Sequence, residues 1–200
     1  MEILQINEQP LLKKELKKKL LNNSLHLLEK RIRKQIRMSN LVDKNMVLFV
    51  ADPLTEFFLK RIITLPITIK KISAKELGII RYDDSLFTNS NVKLFLKKMK
   101  KNEKLFLPLL MDDYCVFFLK GILKNKKQEM NRTHKIYSFF ETISFEEIMP
   151  LVERNKIKIN LERSDADGLY ASLDKLEQKF LGTKHGLYRS YLFYKNNQII

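Results

Sequence analysis

Apolar residues recur at helical spacing from 24 to 39. Leu25, Leu28, Ile32, Ile36 and Ser39 share one face, and Lys30, Arg31, Arg33, Lys34 and Arg37 occupy the rest, which predicts an amphipathic helix. The stretch "NLVDKN" breaks that period, and the apolar run Met46 to Val50 predicts a strand that turns at Ala51-Asp52-Pro53 into a helix. Further strands are expected over 65–73, 104–110 and 135–143. Helices are expected over 11–22, over the basic stretch ending near Asn102, over the apolar stretch 114–123, and over 144–154. The last of these begins with Ser144, and Glu147 three residues later completes a capping box. Leu169, Leu173, Leu176 and Phe180 mark one face of a further amphipathic helix. Alternating strands and helices predict an α/β sandwich on a mainly parallel sheet. No internal repeat or low-complexity linker interrupts it, so 24–200 reads as a single domain behind a basic tail or helix over 1–23.

Composition adds a partner class. The chain has 200 residues, of which 44% are hydrophobic, enough for a real core. Its formal charge is +15, with a pI near 9.8, and such a surface favours an acidic partner such as nucleic acid or an anionic membrane. No apolar run approaches a membrane span and the start "MEILQINEQP" is unlike a signal peptide, so a cytoplasmic protein without a membrane partner is expected. The basic residues cluster at Lys13 to Lys19, Lys30 to Arg37, Lys93 to Lys104 and Lys120 to Lys127. Stripes of this kind neutralise phosphates without reading bases. Phe95 and Phe106, which lie between them, sit at apolar-face positions and read as core.

An apolar strand feeding a helix N-terminus is where α/β proteins cradle a phosphate, but the cradle requires glycines and free N–H groups. In "ADPLTE" Pro53 suits the first helical position and removes a donor. Asp52 is a good N-cap whose carboxylate would occupy the free N–H groups, and its charge, with that of Glu56, would repel a polyphosphate. Asp112 and Asp113 follow a strand; such a pair binds magnesium, serves acid–base chemistry, or simply caps the next helix, and the cap is the simplest reading. Cys115, the only cysteine, lies in an apolar helix and reads as core, which excludes a disulfide framework or a cysteine-rich metal site. His26, His134 and His185 have no metal-triad spacing. "GTKHGLYRSY" reads equally as an anion-binding turn, using Lys184, His185 and Arg189, or as a tight connection between the last helix and a last strand.

Three stretches together resemble the PP-loop ATPase superfamily, specifically its tRNA 2-thiolation branch: "LEKRIRKQIRMSNLVDKNMVLFV", "KLFLPLLMDDYCVFFLKGILKNK" and "DADGLYASLDKLEQKFLGTKHGLYRSY". They are similar to the helix and strand before the family's nucleotide loop, to its Asp-Asp pair and long helix, and to its closing helix with Pro-Gly-Thr-Lys and Arg-Ser. The matching motif positions are Asp112, Asp113, Gly182, Thr183, Lys184 and Arg189, with Leu181 in place of the proline. Where active members of the family carry Ser-Gly-Gly-x-Asp-Ser, this chain has Ala51, Asp52, Pro53, Leu54, Thr55 and Glu56, and it lacks the family's cysteines. The resemblance therefore implies a degenerate PP-loop protein similar to the cytoplasmic tRNA 2-thiolation protein 2 family, a non-catalytic chain that needs no cofactor of its own. It implies pairing, as a heterodimer, with a catalytic PP-loop thiolase subunit. That pair would modify wobble uridine-34 of tRNA with sulfur from a ubiquitin-like carrier. Candidate tRNA contacts are then Arg31, Arg33, Lys34 and Arg37, Lys97, Lys98, Lys100 and Lys101, and Lys124, Lys126 and Lys127. Two alternatives stay open: an active tRNA-modifying adenylating enzyme using Asp112 and Asp113, and a general RNA-binding α/β module.

Overall fold

The structure is a computed structural model, and it describes residues 25–123, 136–163 and 168–197. The expected helix 11–22 and the candidate contacts Lys124, Lys126 and Lys127 lie outside the described residues. Helix α1 covers 25–38 and buries Leu28 and Ile32, with Leu25 and Ile36 packed against the core, as its period predicts. It is followed by β1 (Val47–Val50), α2 (Pro53–Ile62), β2 (Thr68–Lys71), a short 3-10 turn (Asp84–Phe87), α3 (Ser90–Lys98) and β3 (Glu103–Phe106). The chain continues through α4 (Met111–Leu123), β4 (Ile136–Tyr137), α5 (Phe145–Arg154), α6 (Leu169–Lys179) and α7 (Thr183–Asn197).

The four strands form one sheet in the order β2-β1-β3-β4, and every pairing is parallel. Val50 is level with Lys71 on one side and Phe106 on the other, so the strands β1 and β3 form the centre. Leu48, Val50, Leu105 and Phe106 are buried, as parallel strands covered on both faces require, whereas all four residues of β2 are exposed at its open edge. The expected α/β sandwich with a mainly parallel sheet is the architecture found.

Several boundaries differ from the sequence reading for local reasons. The strand expected over 104–110 stops at Phe106, because Pro108 lacks the N–H that would continue the ladder, although Leu107 still donates to the Tyr137 carbonyl at 3.0 Å. The strand expected over 135–143 contracts to Ile136–Tyr137. The Ser138 hydroxyl donates to the Leu109 carbonyl at 2.7 Å and accepts from the Phe140 N–H at 3.0 Å, diverting the backbone out of the sheet. Phe139 and Phe140 are buried nonetheless, Phe139 stacked on Phe106 with ring centroids 4.4 Å apart. Helix α4 starts at Met111 rather than 114, and all its residues from Met111 to Phe118 are buried. Helix α3 ends at Lys98, where Met99 turns to extended backbone, rather than near Asn102. Helix α5 has its capping box: the Ser144 N–H donates to Glu147 Oε2 at 2.9 Å. In α6 the core side is Tyr170 and Leu173, while Leu176 and Phe180, expected on the same buried face, are 45% and 58% exposed. The segment after α6 leads into a further helix rather than a last strand, and the anion its Gly182 and Lys184 N–H groups hold is the chain's own Glu177 carboxylate. Gly182, with φ +91°, reverses the chain, and Thr183 starts helix α7.

Candidate functional site

The two central strands β1 and β3 feed chain segments that leave in opposite directions, β1 toward β2 and β3 toward β4. Their carboxyl ends therefore flank the crevice where open α/β sheets hold ligands. The N-termini of α2 and α4 stand at this crevice.

At the first, Asp52 caps α2 as expected: Thr55 N–H donates to Asp52 Oδ1 at 2.7 Å. The Leu54 N–H also favours that carboxylate, Glu56 N–H goes to the Asp52 carbonyl at 3.3 Å, and Pro53 has no N–H. The first turn thus spends its donors on its own cap. Asp52 is 4% and Thr55 0% exposed, and Tyr82 closes over the turn by donating its hydroxyl to the Ala51 carbonyl at 2.7 Å. Fixed negative charge, expected from the sequence, is not what closes this terminus. Burial pushes the Asp52 carboxyl up to about 7, outweighing the Thr55 and Leu54 N–H groups, so it is not a fixed negative charge at neutral pH. Glu56 is held below the usual carboxylate range by Lys60 and Lys71, at 2.7 and 2.8 Å, so its charge is neutralised on the spot. What closes this terminus is occupancy and burial rather than repulsion.

At the second, the Asp pair does more than cap. Asp113 fits the helix-cap reading, accepting from the Leu110 N–H at 2.6 Å from three residues downstream. Its other oxygen accepts from the Tyr170 hydroxyl at 2.9 Å, and burial pushes its carboxyl up to about 7. Tyr170 also meets Asp84 at 3.2 Å, and Asp84 pairs with Lys120 at 2.9 Å. Asp112 does not cap its own helix. Its Oδ2 accepts from the Phe145 N–H at the start of α5, at 2.8 Å, and pairs with Arg163 at 3.2 Å. The Arg163 guanidinium lies between the rings of Phe145 and Tyr170, 4.1 and 4.9 Å from their centroids.

Lys184 is the hub of this cluster. Its ammonium is 1% exposed as a residue and lies 2.6 Å from Asp112 Oδ1, 2.7 Å from Asp174 Oδ1 and 2.8 Å from Glu146 Oε1. Desolvation works against the charge, but the three carboxylates outweigh it and hold the ammonium protonated well above its ordinary range. The same carboxylate oxygens lie within 4.8 Å of one another, a spacing suited to a metal ion, but the Lys184 ammonium occupies their centre. Glu177 accepts from the N–H groups of Gly182 and Lys184, both at 2.8 Å, and so fastens the turn that delivers this lysine. Beside the hub opens a cleft of about 430 Å³, lined among others by Glu146, Glu147, Asp174, Glu177, Leu181 and His185.

Cys115 is fully buried one turn into α4, its thiol donating to the Lys184 carbonyl at 3.3 Å, and burial pushes it up to about 12. It is a core residue, as its apolar helix implies, and the thiolate needed for nucleophilic or metal chemistry is disfavoured. Arg163, Tyr170, Asp174 and Glu146, which complete the hub, were missed by sequence reasoning. They look like ordinary polar positions until the chain closes on itself.

Arg31 excepted, which reaches Glu147 at the cleft, the candidate basic contacts sit elsewhere. Arg31 is engaged by Glu147 and the Thr142 carbonyl, and Arg33 by Glu29 at 3.7 Å. Lys34 and Arg37 are exposed on α1. Lys97, Lys98, Lys100 and Lys101 are exposed at the end of α3 and before β3, which is the amino edge of the sheet, opposite the crevice. Lys104 donates to the carbonyls of Asn40 and Leu41, at 3.3 and 2.8 Å, and thereby ties the turn after α1 to β3. Among the motif residues, Asp112 and Lys184 form the hub, Gly182 and Thr183 shape the turn that delivers Lys184, and Arg189 is exposed on α7.

Among solved structures, the U34-tRNA thiolase NcsA from Methanococcus maripaludis, determined with its 4Fe–4S cluster, matches with a TM-score of 0.66 and 12% identity, covering 88% of this chain and 80% of that one. At that identity the likeness is one of fold. No family model matches the chain. No curated protein sequence matches it either. The residues present do not fit a cluster of that kind, since the chain has a single cysteine and its thiol is buried.

Proposed function

We propose that this chain is a non-catalytic subunit of a tRNA wobble uridine-34 2-thiolation complex, contributing scaffold and RNA-binding surface to a catalytic PP-loop partner. The observation that carries the reading is the α2 terminus. In a fold shared with a U34-tRNA thiolase, the position suited to a polyphosphate is filled by its own cap, with Asp52 and Thr55 buried and Pro53 lacking a donor. The single buried cysteine favours a division of labour in which the partner supplies ATP and thiols, and takes sulfur from a ubiquitin-like carrier. Residues 24–200 act as one unit in this role, and the exposed lysines at the amino edge of the sheet are the tRNA contacts.

Two measurements test it together. Calorimetry of the isolated chain with ATP and magnesium is expected to give no saturable heat. Mass spectrometry of total tRNA is expected to lose the 2-thiolated wobble nucleoside when the gene is deleted and regain it on complementation. Micromolar ATP binding would favour an active adenylating enzyme. Unchanged thiolation after deletion would leave only a general RNA-binding module.

A further inference from the structure

Glu29 is buried in α1, and two arginines from different helices converge on it. Arg61, in the last turn of α2, donates through Nε to Glu29 Oε1 at 2.7 Å, and Arg33 Nη2 stands 3.7 Å from Glu29 Oε2. Arg33 also donates to the Arg61 carbonyl at 3.4 Å, and Arg37 Nε donates to the Arg33 carbonyl at 3.3 Å. The Arg61 guanidinium lies 5.3 Å from the centroid of the Phe57 ring. Each guanidinium is thus held from one side by the fold. The other side is open: the Arg33 and Arg61 side chains are 40% and 46% exposed, and Arg37 is exposed. Three guanidiniums stand against one carboxylate, which leaves positive charge over at this seam. Lys30 and Lys34 extend it along α1. Along α2 runs a cleft of about 400 Å³ lined by Pro53, Glu56, Phe57, Lys60 and Arg61, and its one acid, Glu56, is already engaged by Lys60 and Lys71. Because α2 returns from β1 to the parallel strand β2, Arg61 lies at the amino end of the sheet, as do Lys97 and Lys98.

We propose that Arg33, Arg37 and Arg61 form a binding site for RNA backbone phosphates, with the buried Glu29 as its positioning residue. This site rests on the RNA reading given above and adds to it a seam between α1 and α2 and two residues, Glu29 and Arg61, that the charge clusters of the sequence do not include. A guanidinium presents a planar fork of donors that matches two phosphate oxygens at once, which an ammonium cannot do. Fixing the fork before the ligand arrives removes the ordering cost that a free surface arginine carries. A staple between two helices would need one arginine on one carboxylate, whereas here a second guanidinium shares the same carboxylate and a third is tied to the backbone beside it. The two readings assign opposite signs to Glu29. If it is only a staple, its charge repels phosphates and its neutralisation tightens RNA binding. If it aims the arginines, its neutralisation weakens binding although a negative charge has been removed.

The test uses the full chain and unfractionated tRNA, followed by filter binding over a salt series, with each variant shown to be folded by circular dichroism. Glu29→Gln keeps the volume and an acceptor for Arg61 and should weaken binding by about three- to tenfold near physiological salt. Arg61→Ala should weaken it by a similar factor and lower the slope of log affinity against log salt by about one unit. Arg61→Lys keeps the ion pair with Glu29, and so the staple, but loses the fork; it should weaken binding by about threefold, and it decides the matter if Glu29→Gln does not fold. Lys175→Ala, which removes an exposed cation from α6, should change affinity by less than about twofold. The site is overturned if Glu29→Gln tightens binding or leaves it unchanged, or if Arg61→Lys binds as the parent does. Polyglutamate that binds saturably and is weakened by Glu29→Gln, with tRNA binding unmoved, would assign the seam to an acidic protein segment instead. A parent chain that binds no tRNA would overturn the RNA reading itself, whereas a parent that binds tRNA with indifference to these variants overturns only this site.

Discussion

Lys184 Nζ stands 2.6 Å from Asp112 Oδ1, joining the first turn of α7 to the first turn of α4 through a pair withdrawn from solvent. Asp112 in turn accepts from the first N–H of α5 and pairs with Arg163, and Lys184 reaches Asp174 in α6. Four helices are therefore fastened at one ammonium and one carboxylate. Breaking such a pair from one side leaves a buried charge without its partner, which costs about 3–5 kcal/mol. Lys184→Met should lower the unfolding free energy by about that amount, read from urea denaturation at neutral pH. Part of the loss should be recovered on acidification, as the orphaned carboxylates take up protons. A Lys184→Met chain as stable as the parent would mean that the hub contributes nothing net.

Asp52 gives a pH dependence whose sign is fixed by burial. Its carboxyl is raised to about 7 in the folded chain, while the ordinary value is 3.8. Between those values the folded state holds a proton that the unfolded state has released, so this group's contribution is fully present below the ordinary value and fades as pH rises through about 7. Asp52→Asn keeps the Oδ1 acceptor for Thr55 N–H but removes the titration. The variant should match the parent near pH 4 and become progressively more stable than it up to about pH 7, with a constant margin beyond. Parallel denaturation curves for the two proteins across that range would show that Asp52 is not perturbed.

Much of this was legible in the sequence where the signal is local. The α1 period, the Asp52-Pro53 cap and the Ser144–Glu147 box each need only a few neighbouring residues to form, and each is found. The errors fall where a long-range contact decides. Ser138 leaves its strand because the Leu109 carbonyl is available, and the fate of Leu176 and Phe180 depends on which side of α6 the core lies. The hub is the clearest case. Lys184 lies in a motif that suggested an anion site, yet its partners Asp112, Glu146 and Asp174 are dispersed along the chain and became visible only when four helix ends met. Asp52 shows the same limit in its energetics: its role as a cap follows from sequence, its raised pKa only from burial.

Cys115 makes its contribution by filling space. Its thiol is enclosed, donates to the Lys184 carbonyl and is pushed up to about 12 by burial, with the Asp112 charge adding to the effect. Cys115→Ser should leave tRNA thiolation in the cell intact while lowering stability modestly, by about 1 kcal/mol, since a more polar hydroxyl replaces a buried thiol. Mass spectrometry of total tRNA at matched protein level checks it. Disappearance of the thiolated nucleoside at unchanged protein abundance would give Cys115 a chemical part.

The proposed RNA contact carries the last expectation. Lys97, Lys98, Lys100 and Lys101 are exposed at the end of α3 and in the turn before β3. Lys104, anchored on Asn40 and Leu41 and lying 4.8 Å over the Tyr137 ring, ties the turn after α1, the helix that carries the exposed Lys34 and Arg37, to β3. Burial lowers the Lys104 ammonium below its usual range, and its bonds to two carbonyls make it a structural link, so the proposed contacts are the exposed lysines. A lysine that neutralises a phosphate releases a counterion, so its removal weakens binding to every tRNA alike and lowers the salt slope by nearly one unit. Replacing Lys97, Lys98, Lys100 and Lys101 with Ala should flatten log affinity against log salt by about two to four units, measured by filter binding over a salt series. Replacing Lys34 and Arg37 as well should flatten it further if the two groups act as one surface. A slope unmoved by the first set but lowered by the second would put the RNA on α1 alone, and a slope moved by neither would reduce these charges to solvation.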